Sequence, residues 1–150
     1  MVTKTETREA PSPIGVNVPR VDALEKTIGA AKFADDLQFG PGLLHARIKR
    51  SAYPHALIKR IDASKALALP GVKAVATGAD TPGYIGLYLQ DRHIFCRDRA
   101  RYVGDPVAGV VAVSEEIAEQ ALDLIEVEYE PLPPVFDPEY GASPEAPLLH

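Results

Sequence analysis

Cysteine is almost missing from this sequence: Cys96 is the single thiol among 150 residues. One thiol closes no internal disulfide, and it cannot supply the sets of ligands that zinc or iron–sulfur sites need. Its isolation suits a reducing, cytoplasmic setting. A basic excess is also missing. Sixteen Lys and Arg stand against 21 Asp and Glu, a formal charge of −5, whereas a nucleic-acid binder normally carries a positive surplus. No nucleic-acid partner is expected. No apolar run approaches the ~20 residues that cross a bilayer as a helix, and the opening MVTKTETREAPSP has no hydrophobic centre like that of a secretory signal. Neither a membrane nor an export route is expected. Phosphate-cradling glycine patterns are absent as well: there is no Walker sequence and no GxGxxG. Gly104-Asp105-Pro106 precedes a strand rather than a helix, so it lacks the helix N-terminus that binds anions and reads as a tight turn.

What is present describes a globular domain. The length permits one hydrophobic core without staples, and 46% hydrophobic with 25% charged residues leaves disorder to the ends. Residues 22–36 contain Gly29, which costs a helix interior ~1 kcal/mol relative to Ala. A loop or short turn leading to Phe33 as an apolar anchor is expected there. After the Gly40-Pro41-Gly42 turn, Leu44, Ala46 and Ile48 alternate with His45, Arg47 and Lys49, a half-buried strand with its charged face outward. A second strand is expected over 56–61. Asp62 then caps a short helix that stops at Pro70-Gly71, and Val72 to Thr77 form a third strand. PVAGVVAV, residues 106–113, is a continuous apolar run of the kind buried on both faces. Ser114 caps a helix with Glu115 and Glu116 at its positive end, and Ile117, Ala121, Leu124 and Ile125 recur at helical spacing. In IEVEYE, residues 125–130, Ile125, Val127 and Tyr129 face one way and Glu126, Glu128 and Glu130 the other. The order of elements predicts a mixed α/β (α+β) domain, a sheet of several strands with two helices.

No self-contained active site emerges. His45, His55, His93 and His150 are not spaced as metal ligands with cysteine or carboxylates. His45 falls on the polar face of a strand, and His55 follows a proline in a turn where it can bond backbone. No serine sits in a GxSxG elbow. Cys96 has Arg92, Arg97, Arg99 and Arg101 nearby, which would lower a thiol pKa, yet Ile94-Phe95-Cys96 reads better as a buried strand. The same four arginines, with His93, form a basic cluster in an acidic chain. They are either a solvated face paired to Asp91, Asp98 and Asp105, or a docking patch for an anionic ligand or acidic partner. The glutamates of the last strand are expected to aid solubility or to pair with Arg47 and Lys49. Finally, residues 78–91, GADTPGYIGLYLQD, combine turn formers with Tyr84, Ile85, Leu87, Tyr88 and Leu89. Apolar side chains in a loop point to a partner or a pocket, unless they fill the domain core.

From Pro19 to about Pro138 the fragments fall in an order with a precedent. Arg20-Val21-Asp22-Ala23, Glu25-Lys26 and Gly29 to Asp36 resemble the RxDxxEKxxGxAxYxxD opening of molybdenum hydroxylase large subunits. Gly42-Leu43-Leu44, Arg50-Ser51, His55-Ala56, Ile61 to Ser64, Leu69 to Val75, Tyr102 to Ala108 and Ile125 to Pro133 then follow in step. The sequence resembles the aldehyde oxidase/xanthine dehydrogenase a/b hammerhead domain. Within the family, Arg101 to Ala108 is nearest in wording to the α subunit of 4-hydroxybenzoyl-CoA reductase.

The resemblance implies an α/β hammerhead fold over 19–138, with 1–18 as a flexible arm and 139–150 as an exit linker toward molybdopterin-binding domains. It implies a subunit that acts with molybdopterin, iron–sulfur clusters and possibly FAD, carried by further domains or companion subunits. The family's cofactor contacts and catalytic residue lie in those later domains, so no catalytic, cofactor or metal residue is assigned here. One carry-over is made: Gly86, Leu87 and Tyr88 match the loop that approaches the substrate channel, as an apolar and aromatic wall. The competing reading is a small stand-alone module that binds an anionic ligand through Arg92, Arg97, Arg99 and Arg101.

Overall fold

A computed structural model describes residues 14–37 and 39–148. The proposed arm at 1–18 therefore lies largely outside the described residues. The chain forms two compact units, divided between Gly40 and Pro41.

In the first unit, Asp22 organises one turn of chain. Both its carboxylate oxygens accept from the Arg20 guanidinium at 3.0 Å, and Lys26 Nζ lies 2.6 Å away, four residues on. Lys26 and then Arg20 hold the Asp22 carboxyl below its ordinary value. This ion cluster marks the start of helix α1, Ala23–Thr27, in a segment expected to be a loop. The helix ends as Ala30 and Ala31 both donate backbone N–H groups to the Glu25 carbonyl. A single 3-10 turn follows at Ala34–Asp36, closed by the Phe33 N–H donating to Asp36 Oδ2 at 2.9 Å. Within this unit a carboxylate, not packing of the Phe33 ring, closes the turn.

The second unit holds the strands. They are β1 (His45–Arg50), β2 (Ala56–Asp62), β3 (Val72–Thr77), β4 (Tyr84–Ile85), β5 (Arg92–His93), β6 (Arg99–Ala100), β7 (Pro106–Ala112) and β8 (Glu126–Pro131). The helices are α2 (Ser64–Ala68), α3 (Glu115–Asp123) and α4 (Pro138–Gly141). The mixed α/β class stands, but the strands divide into three antiparallel sheets: β1-β7-β3, β6-β2-β8 and the pair β4-β5. One larger sheet is not formed because β2 pairs with β8 and β6 rather than with its sequence neighbours β1 and β3.

The apolar run of β7 becomes the centre of its sheet, with Val107, Ala108, Val110 and Ala112 buried. The core beside it is built from Ala66 of α2, Ala108 and Val110 of β7, Ala121 of α3, and Ile125. Alanines at three of these five positions let both helices lie close to the strand, as close-packed interiors require. Helix α3 begins as the sequence indicates, whereas α2 has Ala63 as its N-cap and Asp62 holds the first turn from one residue further out. Asp62 Oδ1 accepts from the Ser64 N–H at 3.0 Å and the Ser64 hydroxyl at 2.7 Å, and Ser114 Oγ accepts from the Ile117 N–H at 3.3 Å. In β8, Val127 and Tyr129 are half-buried while the three glutamates are exposed. A further short helix, α4, is capped by Asp137, whose Oδ1 accepts from the Glu139 N–H at 2.9 Å.

Strand β1 departs from expectation in an instructive way. Its covered face carries His45, Arg47 and Lys49, while Ala46 and Ile48 are exposed. Helix α3 supplies the reason. Arg47 forms ion pairs with Glu115 and Glu119, and Lys49 Nζ donates to the Leu122 carbonyl at 2.8 Å, near the helix end where orphan carbonyls favour a cation. The glutamates of β8 consequently find other cations: Glu126 pairs with Lys65 and Glu130 with Lys59, not with Arg47 and Lys49.

Gly71 joins α2 to β3 at φ +97°, and a Cβ there would lie 2.7 Å from Ile117 Cδ1 and 3.1 Å from Val113 Cγ2. Both the left-handed backbone and the helix α3 contact oppose a side chain. Gly71→Ala is expected to lower stability by about 2–4 kcal/mol, the sum of a left-handed backbone cost and modest overpacking. Urea unfolding reads this directly, and an unchanged midpoint would remove the assigned role.

Candidate functional site

The segment 78–91 folds outward. Tyr84 and Ile85 of β4 pair with His93 and Arg92 of β5, and the Tyr84 and His93 rings stack with centroids 4.3 Å apart. His93 Nδ1 also lies 3.3 Å from the Gly83 carbonyl. The reversal depends on Gly86 at φ +155°, where an added Cβ would sit 1.8 Å from the Leu89 carbonyl oxygen. The tight turn lifts three consecutive large side chains into the open: Leu87 is 88% exposed, Tyr88 91% and Leu89 73%. Leu87 and Tyr88 therefore do not fill the core.

Beside this hairpin, a cleft of about 330 Å³ is lined by Asp91, Arg92, His93, Cys96, Arg101, Tyr102 and Asp105. The Tyr102–Asp105 turn builds its floor. The Asp105 N–H donates to the Tyr102 carbonyl at 3.2 Å, and the Arg101 N–H donates to Asp105 Oδ2 at 2.9 Å. The turn is tied to the β1 end by Ser51, whose N–H donates to the Asp105 carbonyl and whose carbonyl accepts from the Gly104 N–H. The tight turn expected at Gly104-Asp105-Pro106 is thus formed, and it delivers a buried carboxylate to the cleft.

The four arginines do not act as one patch. Arg92 and Arg101 line the cleft, together with Asp91 and Asp105. Arg92 donates to the Tyr102 hydroxyl at 2.8 Å and lies 5.7 Å from that ring's centre. Arg99 is held in β6 against Leu57 of β2, and Arg97 is exposed on the connecting loop. Two cations facing two carboxylates make the cleft close to neutral, which weakens its pull on a free anion.

Cys96 is buried, 4% exposed, with its N–H donating to the Pro106 carbonyl at 2.7 Å. Burial first, then the charge of Asp105 and a hydrogen bond to it, push the thiol up to about 12, outweighing the lowering effect of Arg101. Proximity to arginines therefore does not activate it. The pairing with Asp105 was not legible from sequence, since it depends on the turn that brings residue 105 back over residue 96. His55 bonds backbone as expected, its Nδ1 lying 2.7 Å from the Pro133 carbonyl, and His45 sits under α3. Among the described residues, no group of three His, Cys, Asp or Glu is placed to hold a metal. With one buried thiol, the described residues do not fit an iron–sulfur cluster, and no redox step is assigned to them.

The thiol arrangement has a measurable consequence. At pH 8 the folded chain should alkylate at Cys96 roughly three orders of magnitude more slowly than the unfolded chain, following thiolate population. Asp105→Asn should speed that reaction. The raised thiol also contributes stability that is complete below pH 9 and fades as pH climbs from 9 toward 12, because the unfolded thiol ionises first. Rapid labelling of the native chain at pH 8 would contradict this.

Comparison with known proteins places this geometry. Residues 28–133 match the family described as aldehyde oxidase and xanthine dehydrogenase, a/b hammerhead domain. The chain is 46% identical over 133 residues to a probable xanthine dehydrogenase subunit of Bacillus subtilis (strain 168), covering 87% of this chain and 18% of that protein. It is 40% identical over 139 residues to the nicotinate dehydrogenase large molybdopterin subunit of Eubacterium barkeri, covering 91% of this chain and 32% of the relative. Among solved structures, the carbon monoxide-reduced Cu,Mo-CO dehydrogenase superposes with a TM-score of 0.83 at 39% identity, covering 90% of this chain and 18% of the other. The chain thus spans less than a third of each protein it matches here. It belongs to the aldehyde oxidase and xanthine dehydrogenase family and carries that family's a/b hammerhead domain.

Proposed function

We propose that this domain serves an oxidoreductase as scaffold and substrate-channel wall, with the redox chemistry carried by molybdopterin-binding domains and by iron–sulfur and flavin partners. Residues 139–150 act as the exit linker toward those domains, and the assembly works in the cytoplasm. Among the described residues no helix is long and apolar enough to cross a membrane. The observation that carries the reading is the hairpin at Gly86, Leu87 and Tyr88. An isolated domain gains nothing by holding a leucine and a tyrosine almost fully in water, whereas burying each against a substrate or a facing wall contributes about 1.5–3 kcal/mol. Gly86 sets the turn, and Leu87 and Tyr88 supply an apolar and an aromatic surface suited to a ring or alkyl chain. The wording of Arg101 to Ala108 favours the 4-hydroxybenzoyl-CoA reductase branch, with an aromatic substrate. The exposed Arg97 is a docking contact for an acidic partner surface.

The alternative, a stand-alone module that captures an anion through the arginines, has less in its favour, because two of the four line a cleft that also holds two carboxylates.

In the assembled enzyme, Leu87→Ala with Tyr88→Ala should reduce kcat/KM for an aromatic substrate by about tenfold, the equivalent of ~1.4 kcal/mol of lost transition-state contact. Stability should move by less than about 0.5 kcal/mol, as for other exposed positions. Unchanged turnover and selectivity across aromatic and aldehyde substrates would defeat the channel role. The purified 150-residue chain should show no redox turnover without companion polypeptide, and any such turnover would defeat the scaffold role.

A further inference from the structure

The sheet β1-β7-β3 has two faces, and the core accounts for one. Helices α2 and α3 cover the face of Arg47, Lys49, Ala108, Val110 and Val75. On the opposite face the register aligns Ala46, Val111 and Ala74 in one row and Ile48, Gly109 and Ala76 in the next. Phe95 lies over Gly109, where an added Cβ would come within 2.7 Å of its ring. Beyond that ring the face is open: Ala46 and Ala74 are exposed and Ile48 is 42% exposed.

Antiparallel sheets that meet water on one side normally turn polar residues to it. Here β1 does the reverse, sending its charges under α3 and its apolar side chains outward. The ion pairs do not repay this arrangement. Partly exposed pairs such as Arg47 with Glu115 and Glu119 contribute about 0–1 kcal/mol, whereas full burial of an isoleucine contributes about 1.5–3 kcal/mol. A one-residue shift of register would exchange the two faces. The observed register is favourable when the outer face is buried too.

We propose that this outer face, centred on Ala46, Ile48, Val111 and Ala74, is an interface buried by an apolar surface from the remainder of the same large subunit. The inference rests on the reading given under Proposed function. The relatives supply the occupant: the matched proteins are at least three times as long as the stretch they share with this chain, and that extra chain is the polypeptide tethered at highest effective concentration. The exposed alanines at 46 and 74 flank Val111 with little bulk, so a partner surface can approach this row closely.

The test is maleimide labelling of Ala46→Cys and, separately, Ala74→Cys, each in the assembled molybdenum enzyme and in the 150-residue chain. Buried Cys96 is the slow internal reference. In the chain both introduced thiols should react readily, and in the enzyme both should slow by at least about tenfold, as burial behind a stable interface requires. Equal reactivity in enzyme and chain would overturn the proposal while leaving the family role intact. Protection that appears in the chain alone and grows with its concentration would overturn it in favour of a second copy. If the native protein purifies as a free 150-residue chain without molybdenum and both thiols react, the role under Proposed function falls together with the interface.

Discussion

Burial of β7 between two other strands and beneath two helices is the constraint from which the rest of the second unit follows. Its buried alanines and valines admit α2 and α3 at close range, and Ala66 and Ala121 match that closeness from the helix side. Once α3 lies over the sheet, its glutamates and its C-terminal carbonyls need cations beneath them, and β1 supplies Arg47 and Lys49. The polarity of β1 is therefore set by the helix it lies under rather than by its own alternation. The same strand leaves Ile48 facing away from the core, so one packing decision shapes both a covered face and an open one.

The second constraint is the turn that leads into β7. Tyr102 to Asp105 is fastened on one side to Ser51 and on the other to Arg101, and it places a buried carboxylate over Cys96. Burial first, and this carboxylate second, keep the thiol neutral, and the turn brings Arg92 and Arg101 opposite aspartates. The cleft thus follows from the way β7 is entered, and it brings two cations and two carboxylates together.

Much of the fold was legible in the sequence because local signals and packing agree there. Asp62 and Ser114 start helices where their side chains can accept backbone N–H groups, Pro70-Gly71 stops one, and the period of two in 125–130 sets Val127 and Tyr129 inward. The resemblance to molybdenum hydroxylase large subunits was legible in the joint order of many short fragments, and the family comparison bears it out. What sequence alone missed depends on partners distant in the chain. Alternation in β1 identifies two faces without saying which one a helix will claim, and the Cys96–Asp105 contact joins residues across a reversal. Helix α1 was missed for a different reason: its start is marked by the exposed cluster of Arg20, Asp22 and Lys26, a local charge arrangement that Gly29 obscured. At 78–91 the unusual composition was visible, but only the fold distinguishes apolar side chains tucked inward from those raised on a hairpin.

The tip of that hairpin separates two demands that most positions must satisfy together. Its backbone path is set by Gly86 and by the ring pair of Tyr84 and His93, while Leu87 and Tyr88 touch little of their own domain. Residue choice at 87 and 88 is consequently almost decoupled from folding. An evolving or engineered lineage can exchange those two side chains for others of different size or polarity and leave the scaffold unperturbed.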